Sequence, residues 1–252
     1  NFSRAQEIQY LSAEGQQEFA WTTSWGVSTR LVGALIMTHS DDDGLIVPPA
    51  LAPAQVVILP VLRKGADEDA INAYCEDLAK ELRGIRWRDE RLRVLLDKRD
   101  LRGGEKNWQH IKKGVPLRLE VGPRDMEQDS VFMARRDRPH NDKTGVPRTD
   151  FLATVCDLLT EIQDGLYERA LAYRDAATVH LSTQAEFEAF FADDQPGGFA
   201  WCFAADDASY EPLLKGLKVT ARCIPIADND ARGACIFTGT PDQPKIVFAK
   251  AY

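Results

Sequence analysis

The stretch QVVILPVL, residues 55–62, indicates a strand that is buried on both faces. Its apolar run is short and almost unbroken, which is typical of a strand inside a sheet. A helical pattern follows, in which Ile71, Cys75, Leu78 and Leu82 recur on one face and a glycine marks the end. A buried strand followed by an amphipathic helix predicts the first unit of an α/β sheet.

The same alternation continues towards the C-terminus. Residues 91–97 predict a second strand, 107–114 a short helix, and 116–122 and 130–136 two more strands. Residues 137–149 are polar and predict a loop. Strands separated by helices imply crossover connections, so an α/β domain is expected over residues 50–150.

Both flanks of this domain carry their own patterns. On the N-terminal side, residues 18–23 predict a strand, apolar residues from Leu31 to Ile36 a helix, and the proline-rich residues 45–54 an extended linker. On the C-terminal side, the spacing from Phe151 to Leu166 predicts a long helix. A second α/β pattern follows, with strands at ATVHL (177–181), FAWCFA (199–204), VTARCI (219–224), ACIFT (234–238) and KIVFAKAY (245–252), and helices at AEFEAFFA (185–192) and YEPLLKGL (210–217).

Composition narrows the class of protein. Hydrophobic residues make up 44% and charged residues 28%, which is typical of a globular protein. Since no apolar run approaches the roughly 20 residues of a membrane span, no membrane contact is expected. Five widely spaced cysteines favour reduced thiols in the cytoplasm. The chain begins with polar residues and without Met, which suggests a piece of a longer protein with no secretory leader.

Charge is distributed unevenly along the chain. The net charge of −8, taken alone, argues against a nucleic-acid partner, and no contact with DNA is expected. Residues 51–150 nevertheless hold 21 Lys+Arg against 18 Asp+Glu, whereas the remaining residues hold 10 against 21. Contact with a polyanion is therefore expected in the middle domain.

Three segments in fixed order carry a family resemblance. They are TSWGVSTRLVGALIMTHSDDDGL (23–45), KGVPLRLEVGPRD (113–125) and FAKAY (248–252). Together they resemble the C-terminal half of prolyl-tRNA synthetases of the archaeal or eukaryotic type, over nearly the whole chain. The resemblance implies an α/β and α+β protein in three parts. These are the tail of an antiparallel class II catalytic domain (1–45), an anticodon-binding domain (50–150) and a C-terminal zinc-binding-like domain (165–252).

The resemblance also implies an activity. A proline–tRNA ligase activates proline with ATP to prolyl-adenylate and transfers it to tRNA(Pro); Mg²⁺ accompanies ATP, and a homodimer is expected. The first two class II motifs and the proline-binding loop would precede Asn1, so we expect this chain to be inactive alone. One alternative is a non-catalytic module that binds the tRNA anticodon. A doubly wound nucleotide-binding protein is disfavoured, because RGGEK (102–106) is too short for a phosphate-binding fingerprint.

The segment SWGVSTR, residues 24–30, resembles the third class II motif. There the resemblance assigns Arg30 the catalytic role of holding the ATP phosphates and stabilising the charge that leaves with pyrophosphate. A guanidinium offers five donors in a planar fork, and a helix N-terminus also favours anions. Gly26 would admit the substrate closely, Ser28 would contact nucleotide or proline, and Trp25 would wall the proline pocket. The alternatives are that Ser28 only caps the helix and that Trp25 only packs in a core.

The second segment predicts an anticodon site. A period of two places Arg118 and Glu120 on one face of a strand, with Arg124 just beyond the turn that follows. Arg135 and Arg136 end the next strand. Proline anticodons share two guanines, and Glu120 is expected to accept hydrogen bonds from guanine N1 and N2 while the arginines hold other edges or phosphates. The alternative is a solvated charged face.

The C-terminal domain departs from the zinc-binding pattern of the family. Cys202 and Cys235 keep two of the four cysteine positions, but Asp207 and Thr238 stand at the other two. Zinc prefers four soft thiolates in such a site, so no zinc is expected, although Cys202, Asp207 and Cys235 leave weak metal binding open. The resemblance also suggests that Tyr252 tucks back towards the catalytic domain, with a frayed tail as the alternative.

Overall fold

A computed structural model describes residues 2–62, 65–226 and 230–250, so the interpretation of Tyr252 lies outside the described residues. The helices of these ranges are α1 (Phe2–Ala5), α2 (Arg30–His39), α3 (Glu68–Gly84), α4 (Gly103–Lys112), α5 (Pro123–Glu127), α6 (Arg148–Ala176), α7 (Gln184–Phe190) and α8 (Glu211–Gly216), with a 3-10 turn at Ala208–Tyr210.

The strands fall into two larger sheets and two short hairpins. The strands are β1 (Gln9–Leu11), β2 (Gln17–Phe19), β3 (Val56–Pro60), β4 (Arg86–Trp87), β5 (Glu90–Arg91), β6 (Val94–Leu96), β7 (Leu117–Val121), β8 (Ser130–Arg135), β9 (Lys143–Pro147), β10 (Thr178–His180), β11 (Phe199–Phe203), β12 (Val219–Cys223), β13 (Arg232–Gly233) and β14 (Gln243–Lys250). The hairpins are β1–β2 and β4–β5.

The middle domain is built on a five-stranded sheet of order β6-β3-β7-β8-β9. Strand β3 runs parallel to both β6 and β7, while β8 and β9 pair antiparallel. All five residues of β3 are buried, as the opening stretch predicts. Parallel neighbours require crossovers, which α3 and α4 supply, so the predicted α/β fold of this region is confirmed.

One face of this sheet carries the apolar core. Helix α3 begins after Asp67, whose side chain accepts a hydrogen bond from the backbone N–H of Ala70 at 3.0 Å. Its buried residues pack with those of α6 and with the inward side chains of β3 and β7. The long helix α6 buries five residues of its predicted apolar stripe, namely Phe151, Val155, Leu159, Ile162 and Leu166. The other two, Leu152 and Leu158, are half-buried.

The opposite face, under α4, is a buried polar layer. Its apolar part is a small cluster of Val57, Leu59 and Val115. Around this cluster lie buried polar and charged side chains: Asp97, Lys106, His110, Arg118 and Arg136. Buried charges destabilise a fold unless they are paired, so these residues point to a function on this side of the sheet.

The C-terminal domain forms a second sheet of order β10-β11-β14-β12, with β13 paired to β14. Its core is aromatic: Phe187 contacts Phe191, Phe237 and Phe248 edge-to-face. Tyr210 stacks on Phe237 with ring centroids 4.4 Å apart. Packing of aromatic rings therefore holds this domain together.

Some local predictions differ from the structure. The predicted loop 137–149 contains strand β9, which pairs with β8 through backbone hydrogen bonds although its sequence lacks an apolar alternation. The predicted strand 234–238 is a turn, in which the Gly239 N–H donates to the Cys235 carbonyl at 2.9 Å. The predicted strand 18–23 ends at Phe19. Helix α4 begins at Gly103, earlier than predicted. Its first two residues are glycines, which have low helix propensity and therefore gave no helical signal in the sequence.

The buried carboxylate of Asp97 predicts a loss of stability in acid. Hydrogen bonds from Arg99 hold the pKa of Asp97 below its usual range, and His110 adds to this effect. A lowered folded pKa stabilises the protein above the unfolded value of about 3.9, and the contribution is lost as pH falls. We expect Asp97 to account for about 1 kcal/mol of the decrease in unfolding free energy between pH 6 and pH 3.

Urea unfolding at pH 6, 4.5 and 3 measures this effect. Asp97→Asn should flatten the pH dependence, whereas Asp193→Asn, at an exposed position, should leave the wild-type slope. Equal slopes in wild type and Asp97→Asn would contradict the assignment.

Candidate nucleic-acid interface

A groove lies at the sheet edge where the parallel strands β3, β6 and β7 end. Ligands of α/β sheets commonly bind at this carboxyl edge. Three adjoining cavities of about 380, 450 and 180 Å³ share Val61 in their lining. Glu120 lines the first and third cavities, and Gly103 the second and third. The edge thus offers one branched groove, which we call the edge groove.

The acid of the edge groove is Glu120 on the central strand β7. Lys143 on β9 donates to its Oε1 at 2.5 Å. Both side chains are about one quarter exposed, so the pair lies at the groove wall in contact with solvent. A carboxylate held in this way can exchange its lysine for another donor without leaving a buried charge unpaired.

An aromatic ring stands beside this pair. Phe132 on β8 lies directly opposite Glu120 in the sheet register and is 37% exposed. The Lys143 Nζ lies 5.9 Å from the centroid of the ring. An exposed aromatic face next to a carboxylate suits a base that stacks and hydrogen-bonds at once. Sequence reasoning missed Phe132 and Lys143, because a strand phenylalanine is ordinarily interpreted as core.

Arg118 lies two residues before Glu120 on the same face of β7, as the strand period predicts. Its side chain is buried under α4, and its Nε donates to Asn107 Oδ1 at 3.0 Å. Among the described residues, Nη1 and Nη2 have no hydrogen-bond partner. Burial lowers the pKa of Arg118 to about 10. An uncompensated guanidinium here favours an anion in the neighbouring groove.

Arg124 lies at the outer rim of the edge groove. It follows Pro123 in the short helix α5, is exposed, and lines the 380 Å³ cavity. The Asp125 carboxylate accepts from the Gly122 N–H at 2.8 Å, which fixes the turn that presents the arginine. Arg124 is therefore placed to contact a ligand bound at Glu120.

Arg135 and Arg136 occupy a different environment from the other predicted arginines. Arg135 is buried and pairs with Asp137 and Glu161 at 2.8 and 2.9 Å. Arg136 is also buried, and it forks onto both carboxylate oxygens of Asp41. These internal pairs favour a structural role for both arginines; their contact with an anticodon stays a prediction.

The loop before α4 adds a basic wall that the sequence interpretation did not include. Lys98, Arg99 and Arg102 line the 450 Å³ cavity together with the first residue of α4. Lys106 is buried below them and its Nζ donates to the Asp97 carbonyl at 3.4 Å. Clustered cations at a helix N-terminus suit phosphate groups.

The predicted catalytic residues lie outside the edge groove, at the start of α2. The helix begins at Arg30, which is exposed, and the Arg30 N–H donates to Ser28 Oγ at 3.3 Å. Thr29 stands at the N-cap position but its side chain makes no cap hydrogen bond, so the alternative in which Ser28 only caps the helix stays open. A Cβ placed on Gly26 would meet no atom within 4 Å. Trp25 is 95% exposed, so the core alternative does not hold for this chain by itself.

A large apolar surface surrounds these residues. Helix α2 has no buried residue in the structure, and apolar side chains along the helix and in the segment before it face solvent: Trp21, Val27, Leu31, Val32, Ile36 and Met37. Contiguous exposed apolar patches usually mark a surface that another protein element covers.

None of the helices in the described ranges is long and apolar enough to cross a membrane.

The predicted zinc positions form a poor metal site. Asp207 accepts from the Ser209 N–H at 2.7 Å and thereby caps a turn, and Thr238 bonds to Thr240 at 2.8 Å. Burial raises the pKa of the Cys202 thiol to about 12. Within the described residues, no group of three or more potential ligands is close enough to hold a metal. This donor set does not fit the four-thiolate site, and the absence of zinc stays a prediction.

Comparison with known proteins shows which protein family the middle domain matches and which enzymes the whole chain is similar to. Residues 55–158 match the family described as an anticodon binding domain, and this range contains the whole edge groove. The chain is also 50% identical to the proline–tRNA ligase of Rhodopirellula baltica and 49% identical to that of Bdellovibrio bacteriovorus, in both cases over its full length. It spans about half the length of each, 50% and 51% respectively.

Solved structures agree with this similarity. The prolyl-tRNA synthetase of Cryptosporidium parvum, solved with L-proline and AMP, superposes with a TM-score of 0.84 at 28% identity. The match covers all of this chain and 51% of the synthetase. The whole chain is therefore similar in sequence to about half of a proline–tRNA ligase, and its fold matches about half of the solved synthetase.

Proposed function

We propose that this chain supplies the anticodon-binding part and one catalytic motif of a proline–tRNA ligase. The enzyme would activate proline with ATP and transfer it to tRNA(Pro). The observation that carries the proposal is the 50% identity to a proline–tRNA ligase over the full chain. We further propose a homodimer in the cytoplasm; the dimer rests on the resemblance, and the widely spaced cysteines are typical of a reducing compartment.

In the catalytic part, Arg30 would hold ATP phosphates and Mg²⁺ would accompany the nucleotide. Its exposed guanidinium at the start of a ten-residue helix fits an anionic ligand. Ser28 would contact nucleotide or proline, and Gly26 would let the substrate approach the backbone closely. Trp25 would form a wall of the proline pocket when further protein covers its exposed ring. The exposed apolar surface around α2 supports this arrangement, because a complete pocket requires further protein against it.

In the edge groove, Glu120 would read a guanine of the anticodon. Its carboxylate accepts from two guanine N–H groups when Lys143 moves to a neighbouring phosphate, and the base stacks on Phe132. The basic wall at Lys98 and Arg102 would hold the RNA backbone. Arg118 would add positive charge beneath the groove.

Anticodon specificity tests this assignment. Replacing Glu120 with alanine should weaken binding of a tRNA(Pro) anticodon stem-loop by about 10- to 100-fold, because a paired base contact contributes about 1–3 kcal/mol. The variant should also lose discrimination against stem-loops in which a guanine is changed to adenine. Fluorescence anisotropy at fixed salt measures both quantities.

Two control variants sharpen the result. Glu168→Ala removes an exposed acid on α6 and should bind like wild type. Lys143→Ala should reduce the dependence of binding on salt but keep the preference for guanine. Unchanged discrimination in Glu120→Ala would show that another residue reads the base.

A binding module without catalysis is the second candidate function. The edge groove is complete within this chain, so RNA binding does not depend on the catalytic part. We expect the 252-residue chain to bind the stem-loop yet show no proline-dependent pyrophosphate exchange. Exchange by the chain alone would contradict this expectation.

A further inference from the structure

Asn107 is a polar residue of the edge groove that the proposed function leaves unused. It lies in the second turn of α4 and lines the 180 Å³ cavity together with Glu120 and Lys143. Among the described residues, these three supply the polar side chains of that cavity. The rest of its lining is apolar or glycine: Leu59, Pro60, Val61, Gly103 and Gly104. Asn107 from the helix and Glu120 from the sheet therefore face the same small space.

Arg118 fixes which way the Asn107 amide points. The Arg118 Nε donates to Asn107 Oδ1 at 3.0 Å. A guanidinium has donors and no acceptor, so the oxygen of the amide must face it and the NH₂ group is turned away. Because the Arg118 side chain is buried under α4, the amide nitrogen is the polar atom of Asn107 that remains for the cavity.

The amide nitrogen of Asn107 is both unpaired and accessible. Within the described ranges it makes no hydrogen bond, so its two N–H donors are unused. The residue is half-buried, and Nδ2 is not sealed from solvent as the Arg118 Nη atoms are. The cavity thus offers a fixed N–H donor beside the carboxylate acceptors of Glu120.

We propose that Asn107 determines guanine specificity together with Glu120, by donating from Nδ2 to guanine O6. This inference rests on the proposed function, in which Glu120 accepts from N1–H and N2–H of the same base. O6 lies next to N1 on that edge, so a pair of acceptors with a neighbouring donor matches guanine. Adenine carries an amine in place of O6 and an acceptor at N1, so it mismatches both residues. Arg118 is a positioning residue, since it acts through the amide and does not touch the base.

The analogue 6-thioguanine tests the O6 contact. It keeps the N1 and N2 donors but replaces O6 with sulfur, which is a weak acceptor. At one of the two anticodon guanines, replacement by 6-thioguanine should weaken binding of the stem-loop to the intact chain about fivefold, the loss expected for one hydrogen bond. Fluorescence anisotropy gives the ratio of the two affinities at each guanine in turn.

A matched pair of variants on α4 assigns the ratio to Asn107. Asn107→Asp keeps an oxygen for Arg118 but replaces the Nδ2 donor with an acceptor, so the ratio should fall close to one even though the added charge weakens both stem-loops. Gln109→Glu makes the same chemical change at a residue that bonds Arg99 and Glu105 and does not line this cavity. It should keep the wild-type ratio.

Arg118→Met tests the positioning role. Without its donor the amide of Asn107 can turn its oxygen to the cavity, so the ratio should fall. A role of Arg118 in folding or charge alone would weaken both stem-loops equally and leave the ratio unchanged, which would overturn the positioning role.

Three results would overturn the role of Asn107. They are a wild-type ratio of one at both guanines, a wild-type ratio that survives in Asn107→Asp, and a ratio that is lost in Lys143→Ala instead, which would make the lysine the O6 donor. Stem-loops with adenine separate these results from a failure of the proposed function. A preference for guanine over adenine that depends on Glu120 would leave that function intact, whereas its absence from the wild-type chain would remove both.

Discussion

Replacing Arg30 with alanine is expected to lower proline-dependent pyrophosphate exchange by about 100- to 1,000-fold, which is the usual effect of removing one preorganised donor from a developing anion. The chain spans about half the length of the ligases it matches, so the experiment uses a longer protein. A chimera that joins this chain to the remaining half of the Rhodopirellula baltica ligase, to which it is 50% identical, provides one. The loss should fall on kcat more than on the KM for proline, because the phosphate charge develops in the transition state.

Conservative and distant substitutions separate charge from geometry at this position. Arg30→Lys keeps the positive charge but loses the planar fork, so we expect only partial activity. Arg91→Ala removes an exposed arginine from the β4–β5 hairpin and should retain wild-type exchange. A loss of less than about fivefold in Arg30→Ala would exclude the phosphate-binding role, given the magnitude typical of such donors.

Replacing Arg136 with alanine is expected to destabilise the protein by about 2–3 kcal/mol, because a buried guanidinium that makes four hydrogen bonds is lost, whereas its partner Asp41 is 45% exposed and is not left as a buried charge. Arg136 donates to Asp41 from both Nη atoms, to the Gly44 carbonyl at 3.1 Å and to the Ile111 carbonyl at 3.0 Å. Its one side chain therefore joins the segment after α2 to the end of α4. Urea unfolding at neutral pH measures the loss.

Arg138 offers a matched control on the same chain segment. Its ion pairs with Asp142 and Glu161 lie at 3.9 and 3.6 Å on the surface, so Arg138→Ala should cost about 0–1 kcal/mol. The same pair of variants tests the predicted anticodon contact of Arg136. If Arg136→Ala keeps its stability but loses stem-loop binding, the arginine acts on RNA rather than on the fold.

Periodicity predicts the middle domain well, and it predicts the edge groove only in part. The buried run 55–62, the face of α3 and the stripe of α6 follow directly from apolar spacing. The shared face of Arg118 and Glu120 follows from the strand period. Strand β9 has no apolar alternation in its sequence, since it is held in the sheet by backbone hydrogen bonds to β8 rather than by buried side chains. Lys143 therefore escaped prediction together with the strand that carries it.

Charge type could be read from the sequence, but the environment of each charge could not. Arg118, Arg124 and Arg136 look alike in sequence, yet one is buried with unpaired nitrogens, one is exposed at a groove and one is locked to Asp41. The difference comes from residues far away along the chain. The local sequence around an arginine does not predict which distant side chain will pair with it in the folded protein.

The sequence by itself determined the α/β alternation from β3 to β8 and the resemblance to the synthetases, because both depend on local spacing of residue types. Tertiary structure alone decided which lysine pairs with Glu120, which aromatic ring lies beside this pair and which arginines are buried in ion pairs. Those choices depend on strand register and on helix packing, where the free energy of burying a charge is set by neighbours that only folding brings together.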